Sequence, residues 1–168
     1  LMGGQIGVNS TFGEGSTFWF TLGFTLSNLQ KNKVTAPTAP DVASFKRKHV
    51  LVAEDNLINQ RIVGFQLKKM GFDVDIVGDG AKALEKYRAG SYDLIILDIQ
   101  MPELDGYQVA RAIREDEKST TRHSPIIALT ANAMKGDREL YLEAGMDEYV
   151  SKPFTYETLE KAIGVVLA

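Results

Sequence analysis

Acidic and polar side chains stand at the ends of apolar runs in this sequence. "HVLVA" runs into Glu54-Asp55, "DLIIL" into Asp98, "IIAL" into Thr130, and "DEYVS" into Lys152-Pro153. A carboxylate at the end of an aliphatic run costs several kcal/mol, on the order of 3 or more, unless it has a partner or a task. If the runs are neighbouring strands, three carboxylates, one hydroxyl and one ammonium meet on one rim. Three carboxylates that close raise one another's pKa, and a hard divalent cation relieves the repulsion. The chain has no cysteine and two histidines, His49 and His123, far apart in sequence. An all-oxygen donor set suits Mg²⁺ or Mn²⁺ rather than zinc. Magnesium keeps waters and completes its shell with phosphate oxygens. Lys152 then stabilises a phosphoryl group as a point charge, Thr130 donates to a phosphoryl oxygen, and Asp98 is the candidate carboxylate nucleophile for an aspartyl-phosphate.

Each residue alone has a plainer reading. An Asp at a strand end is commonly a turn or cap residue. Asp55 could cap a helix beginning at Asn56, and Asp105 in "ELDG" reads as the start of the next helix. A single lysine or threonine there would be solvated. The joint placement in consecutive units favours the phosphoryl chemistry.

The elements that must position these groups alternate. From residue 47 onward, strand patterns ("HVLVAE", "FDVDIVG", "YDLIILD", "SPIIALTA", "MDEYVSKP") are each followed by a helical pattern. The first helix, "NLINQRIVGFQLKKMG", has apolar residues at Leu57, Ile58, Ile62, Phe65, Leu67 and Met70, a helical spacing, and ends at Gly71. The second runs between Asp79 and Gly90, and the last begins at a Thr155 cap. Five strand-helix units predict an α/β fold with a parallel sheet covered on both faces, its sites at the carboxyl ends of the strands.

Two zones precede this unit. In residues 1–26, "STFWFTLGF" alternates with period two, "IGVNS" offers a partner strand and "TFGEGS" a turn, which predicts an N-terminal β-hairpin. Two strands alone are marginal in water, so the hairpin wants a larger sheet. Residues 27–46, with Pro37 and Pro40, read as a linker, and Lys46-Arg47-Lys48 as a solvated lead-in. The chain has 168 residues, 44% hydrophobic and 24% charged, with net charge -3 and pI about 5.4. That balance carries no nucleic-acid footprint. No apolar run reaches the roughly 20 residues of a membrane span. The N-terminus lacks a signal peptide's basic region and a natural start, and reads as that of a fragment.

With these residues in view, 47–168 resembles the receiver domain of two-component response regulators. The stretches that carry the resemblance are "LVAEDNLINQ", "DLIILDIQMPELDG", "IIALTANA" and "GMDEYVSKPF". It implies a five-stranded sheet of flavodoxin-like order 2-1-3-4-5. It implies Asp98 as the phosphoacceptor and a ligand, Asp55 as direct metal ligand, Glu54 acting mainly through water, and the Gln100 carbonyl as third protein ligand. Thr130 becomes the switch hydroxyl, Tyr149 the switch aromatic, and Ala131 the small residue beside the phosphate. The Lys152-Pro153 bond is expected to be cis. Gln100 and Asn132 would tune attack of water on the acyl phosphate. Phosphorylation would draw Thr130 inward, let Tyr149 turn, and reshape the face spanning "AMKGDRELYLEAGMDEYVSKP".

Residues 1–26, above all "GEGSTFWF", resemble the C-terminal end of a histidine-kinase ATP-binding domain. Kinase end, linker and receiver together resemble a hybrid sensor histidine kinase. The phosphorylatable-His helix and the nucleotide motifs are absent, so neither ATP binding nor autokinase activity is expected of this chain. Its expected activity is Mg²⁺-dependent phosphoryl transfer and self-dephosphorylation at Asp98. The expected partners are a histidine kinase or a histidine phosphotransfer protein, with no nucleic acid, no membrane in this fragment, and a cytoplasmic location. A haloacid-dehalogenase-like phosphatase would need an acid where Gln100 stands. A purely structural interaction domain would not need the complete acidic set. A flavin-binding fold would place a phosphate against the acidic "AEDNLIN".

Overall fold

The computed structural model describes residues 3–23, 48–131 and 137–168. Two units divide the chain, one lying within residues 1–37 and the other within 38–168. The linker at 27–46, Lys46, Arg47 and Asn132 lie outside the described residues.

The first unit is an antiparallel hairpin of β1 (Gln5–Thr11) and β2 (Gly15–Thr21). Its register pairs Ile6 with Phe20 and Val8 with Phe18. Because side chains alternate across a strand, these four share one face. They are exposed, Ile6 at 81% and Phe18 at 77%, so that face is an apolar surface without cover in this unit. On the other face Trp19 lies over Gly7, where a β-carbon would come within 2.4 Å of the indole.

The second unit comprises β3 (His49–Ala53), α1 (Leu57–Met70), β4 (Asp73–Val77), α2 (Gly80–Ala89), β5 (Leu94–Asp98), α3 (Gly106–Glu117), β6 (Ile126–Thr130), α4 (Asp137–Glu143), β7 (Glu148–Ser151) and α5 (Tyr156–Val166). The five strands are parallel in the order β4-β3-β5-β6-β7. Numbered within the sheet this is 2-1-3-4-5, as expected. Alternation splits the sheet into two cores. Leu51, Ile95, Leu97 and Ile126 face Ala83, Val109 and Ile113 of α2 and α3. Val50, Val52, Ile96 and Ile127 face Val63, Leu67, Leu159 and Ile163 of α1 and α5. Helices therefore cover both faces, and β5 and β6 are buried along their whole length. That explains their unbroken aliphatic runs. Among the described residues no helix is long and apolar enough to cross a membrane.

Caps fix where the helices begin. Asp79, Asp105 and Thr155 each accept from a backbone N–H of the following turn. The cap of α1 is Asn56, not Asp55: the Asn56 Oδ1 accepts from the N–H groups of Ile58 and Asn59 at 2.9 and 3.3 Å. The capping role considered for Asp55 is thereby corrected, and its carboxylate remains exposed at the rim. The apolar positions of α1 divide between two faces. The residues turned inward are Val63, Gly64, Leu67 and Met70, whereas Leu57, Ile58, Ile62 and Phe65 are exposed. The inward stripe has spacing i, i+4, i+7, and the outward one, from Ile58 through Ile62 to Phe65, has the same spacing.

Candidate functional site

Strand register carries the site. Ala53 pairs with Leu97, Asp98 with Leu129, and Thr130 with Ser151. Glu54, Asp98, Thr130 and Lys152 therefore stand at one level at the carboxyl end of the sheet. Backbone bonds continue just past the strands: Ile99 N–H to the Leu129 carbonyl at 3.0 Å, and Lys152 N–H to the Thr130 carbonyl at 2.7 Å. The Lys152-Pro153 peptide is cis, as expected.

Of the three carboxylates, Glu54 is fully buried and Asp98 is 5% exposed. Oxygens of Glu54, Asp55 and Asp98 all lie within 4.8 Å of one another. The Lys152 ammonium sits between two of them, 2.6 Å from Glu54 Oε2 and 2.7 Å from Asp98 Oδ2. Asp98 Oδ1 accepts from the Gln100 N–H at 3.1 Å. Burial raises the Asp98 pKa, and the Glu54 charge adds to the rise against the pull of Lys152. Burial also works against the Lys152 ammonium, but its bonds to Asp98 and Glu54 outweigh that and hold its pKa above the usual value. One cation thus serves two buried carboxylates, with a third nearby. The surplus negative charge, the close spacing and the all-oxygen donors fit a hard divalent cation.

Thr130 is buried, and its Oγ1 accepts from the Tyr141 hydroxyl of α4 at 2.9 Å. The Tyr141 ring lies 5.8 Å from Tyr107, nearly parallel, and 5.4 Å from Tyr149 at 37°. Tyr149 is half-buried, and Ala131 is exposed beside the site. The structure thus brings Glu54, Asp55, Asp98, Gln100, Thr130 and Lys152 to one rim, with Tyr149 one aromatic ring away from Thr130.

Three participants were not singled out from the sequence. Tyr141 reaches Thr130 from eleven positions along the chain, a contact no local pattern reveals. Asn59 Nδ2 donates to Glu54 Oε1 at 2.9 Å, and Gln60 Nε2 to the Glu54 carbonyl at 2.7 Å. Their signal was present in "EDNLINQ": two amides one helical turn beyond an acidic pair.

A parallel 2-1-3-4-5 sheet with an acidic, lysine-bridged rim defines the flavodoxin-like receiver architecture. The model of the response regulator receiver domain matches residues 50–164, and the chain belongs to that family. It is 49% identical over 119 residues to hybrid signal transduction histidine kinase I of Dictyostelium discoideum, covering 68% of this chain and 7% of that protein. It is 40% identical over 177 aligned positions to hybrid signal transduction histidine kinase K of the same organism, covering 99% of this chain and 14% of that protein. The chain spans a small part of the length of both relatives. Among solved structures it resembles the receiver domain of sensor histidine kinase PA1611 from Pseudomonas aeruginosa, with a magnesium ion in the active-site cleft. Identity there is 40% and TM-score 0.65, covering 72% of this chain and 98% of that one. It also resembles a chain in the co-crystal structure of the Saccharomyces cerevisiae histidine phosphotransfer protein Ypd1 with the receiver domain of the response regulator Ssk1. Identity is 34% and TM-score 0.66, covering 73% of this chain and 90% of that one. The second unit is a receiver domain of the kind found in hybrid kinases and phosphorelay proteins.

Proposed function

We propose that Asp98 accepts a phosphoryl group from a phosphohistidine and passes it to, or signals to, a partner protein. The observation that carries this is the cluster itself: three carboxylates with oxygens within 4.8 Å of one another, and one ammonium shared between two of them. A bare carboxylate cluster of this kind opposes folding, so the arrangement is explained by what it binds. In the transfer an Asp98 carboxylate oxygen bonds to phosphorus, the P–N bond breaks, and the nitrogen keeps the electron pair. Asp55, Asp98 and the Gln100 carbonyl would hold Mg²⁺, with Mn²⁺ as an alternative and Glu54 beside them. The ion would supply positive charge to the phosphoryl oxygens. Lys152, already at Asp98, supplies a second positive charge, and Thr130 supplies a hydroxyl donor. Tyr149 and the face of α4, β7 and α5 carry the response. The same site returns the phosphoryl group to water.

Alignment with a hybrid kinase over 99% of the chain supports reading residues 1–26 as the end of a kinase ATP-binding domain. Residues 27–46 are then the linker, 47–168 the receiver, and the parent protein a hybrid histidine kinase working where cytoplasmic ATP is available.

We assign the docking of a histidine phosphotransfer protein to the exposed side of α1. Leu57, Ile58, Ile62 and Phe65 are 69%, 68%, 45% and 71% exposed, on the helix that begins two residues after Asp55. An apolar stripe there fits an apolar helix surface of a partner whose phosphohistidine must reach Asp98. With phosphorylated Ypd1 as donor, Ile58→Glu and Phe65→Glu should each slow transfer to this chain at least about tenfold, as losing an apolar anchor at an interface does. Labelling by acetyl phosphate should stay unchanged. Unaltered transfer in both variants would refute the docking face, and no transfer to the parent chain would refute the phosphohistidine donor.

A further inference from the structure

Glu54 is fully enclosed by protein, yet it stands in the middle of an acidic cluster. A carboxylate in that position needs donors on both oxygens. Oε2 has Lys152, but that ammonium is shared with Asp98. Oε1 takes its bonds entirely from the start of α1: Asn59 Nδ2 at 2.9 Å and the longer Asn56 N–H at 3.3 Å. The next residue, Gln60, donates from Nε2 to the backbone carbonyl of the same Glu54 at 2.7 Å. Two consecutive side-chain amides thus grip one residue, one by its carboxylate and one by its main chain.

Other demands do not account for this pair. Asn56 already caps the helix. The inward packing of α1 is done by Val63, Leu67 and Met70. Asn59 and Gln60 are only half-buried and lie outside both apolar cores. Their amides reach back across the loop that carries Asp55.

We propose that Asn59 is a positioning residue for the acidic pair, with Gln60 bracing the backbone beneath it. The hydrogen bond from Asn59 fixes the rotation of the Glu54 carboxylate. One oxygen is turned toward α1, and the other toward Lys152 and Asp98. Held at its carbonyl and at its side chain, Glu54 sets the start of the loop from which Asp55 projects. The amides bond to Glu54 and act through the acidic residues, as outer partners of metal-site carboxylates do. This rests on the reading of Glu54, Asp55 and Asp98 as the magnesium site.

The test is Mg²⁺ titration by calorimetry on the full chain, beside thermal unfolding. Asn59→Leu keeps the side chain's shape and removes the donor. Its Mg²⁺ dissociation constant should rise roughly tenfold, the usual lower bound for losing an outer-shell partner, with a native circular dichroism spectrum. Phosphorylation by acetyl phosphate should slow at limiting Mg²⁺ and recover at saturating Mg²⁺, which a general loss of structure would not do. A folded Asn59→Leu chain with Mg²⁺ affinity within about twofold of the parent, on the same scale, overturns the proposal. If Asn59→Leu does not fold, Gln60→Leu and Asn59→Ser are read against the same criterion. A parent chain that binds no Mg²⁺ would instead overturn the metal site on which the proposal stands.

Discussion

Lys152 is the residue on which the local balance turns. It bridges two carboxylates that are otherwise buried side by side, at 2.6 and 2.7 Å. Lys152→Met should leave Glu54 and Asp98 without a counter-charge and cost about 3 kcal/mol or more of unfolding free energy. Urea denaturation without divalent cations is the check, and a loss within about 1 kcal/mol, the size of a surface ion pair, would contradict the bridge. A second residue reports from the opposite end of the strands. Tyr92 is buried, donates to Asp75 Oδ2 at 2.8 Å, and has its phenol pushed up to about 12 by burial and then by that bond. A phenol whose folded pKa exceeds the unfolded value of about 10 adds stability that is complete below pH 10. That stability is lost as pH rises toward 12, because the unfolded chain then releases a proton the folded chain keeps. The loss should be on the order of 2 kcal/mol. Tyr92→Phe should flatten the alkaline limb, read as the urea midpoint at pH 9 against pH 11.5; parallel curves for both chains would contradict it.

At the scale of elements, the strand ends were legible and one helix face was not. Glu54, Asp55, Asp98, Thr130 and Lys152 announce themselves because each is a polar break at the end of an apolar run. The faces of α1 could not be ranked, since Val63, Leu67, Met70 and Ile58, Ile62, Phe65 make two stripes of the same spacing. Only the sheet, by packing on the first set, decides between them. Asn59 and Tyr141 act through contacts that exist once α1 and α4 are placed, so their roles required the fold. Placement of α3 depends on a small residue: a β-carbon on Gly106 would come within 2.5 Å of the Asp98 carbonyl oxygen. Gly106→Ala should therefore push the helix start and the strand end apart. It should lose about 2 kcal/mol, within the range of overpacked cores, and slow phosphorylation of Asp98. Thermal melting and acetyl phosphate labelling check this, and an unchanged melting curve would contradict it.

At the scale of the whole molecule, two units of different self-sufficiency share one chain. The receiver owns two apolar cores, one on each face of its sheet. The hairpin owns one sheet-like pair and an apolar face that it does not cover. The alternating strand and helix signals, and the period-two pattern of residues 17–24, carried this division. Phosphoryl acceptance at Asp98 is tested by intact mass after incubation with acetyl phosphate and Mg²⁺, parent chain beside Asp98→Asn. The parent should gain one phosphoryl group, a gain abolished by chelation of Mg²⁺ and absent from the variant. No gain by the parent, or an equal gain by Asp98→Asn, would contradict it.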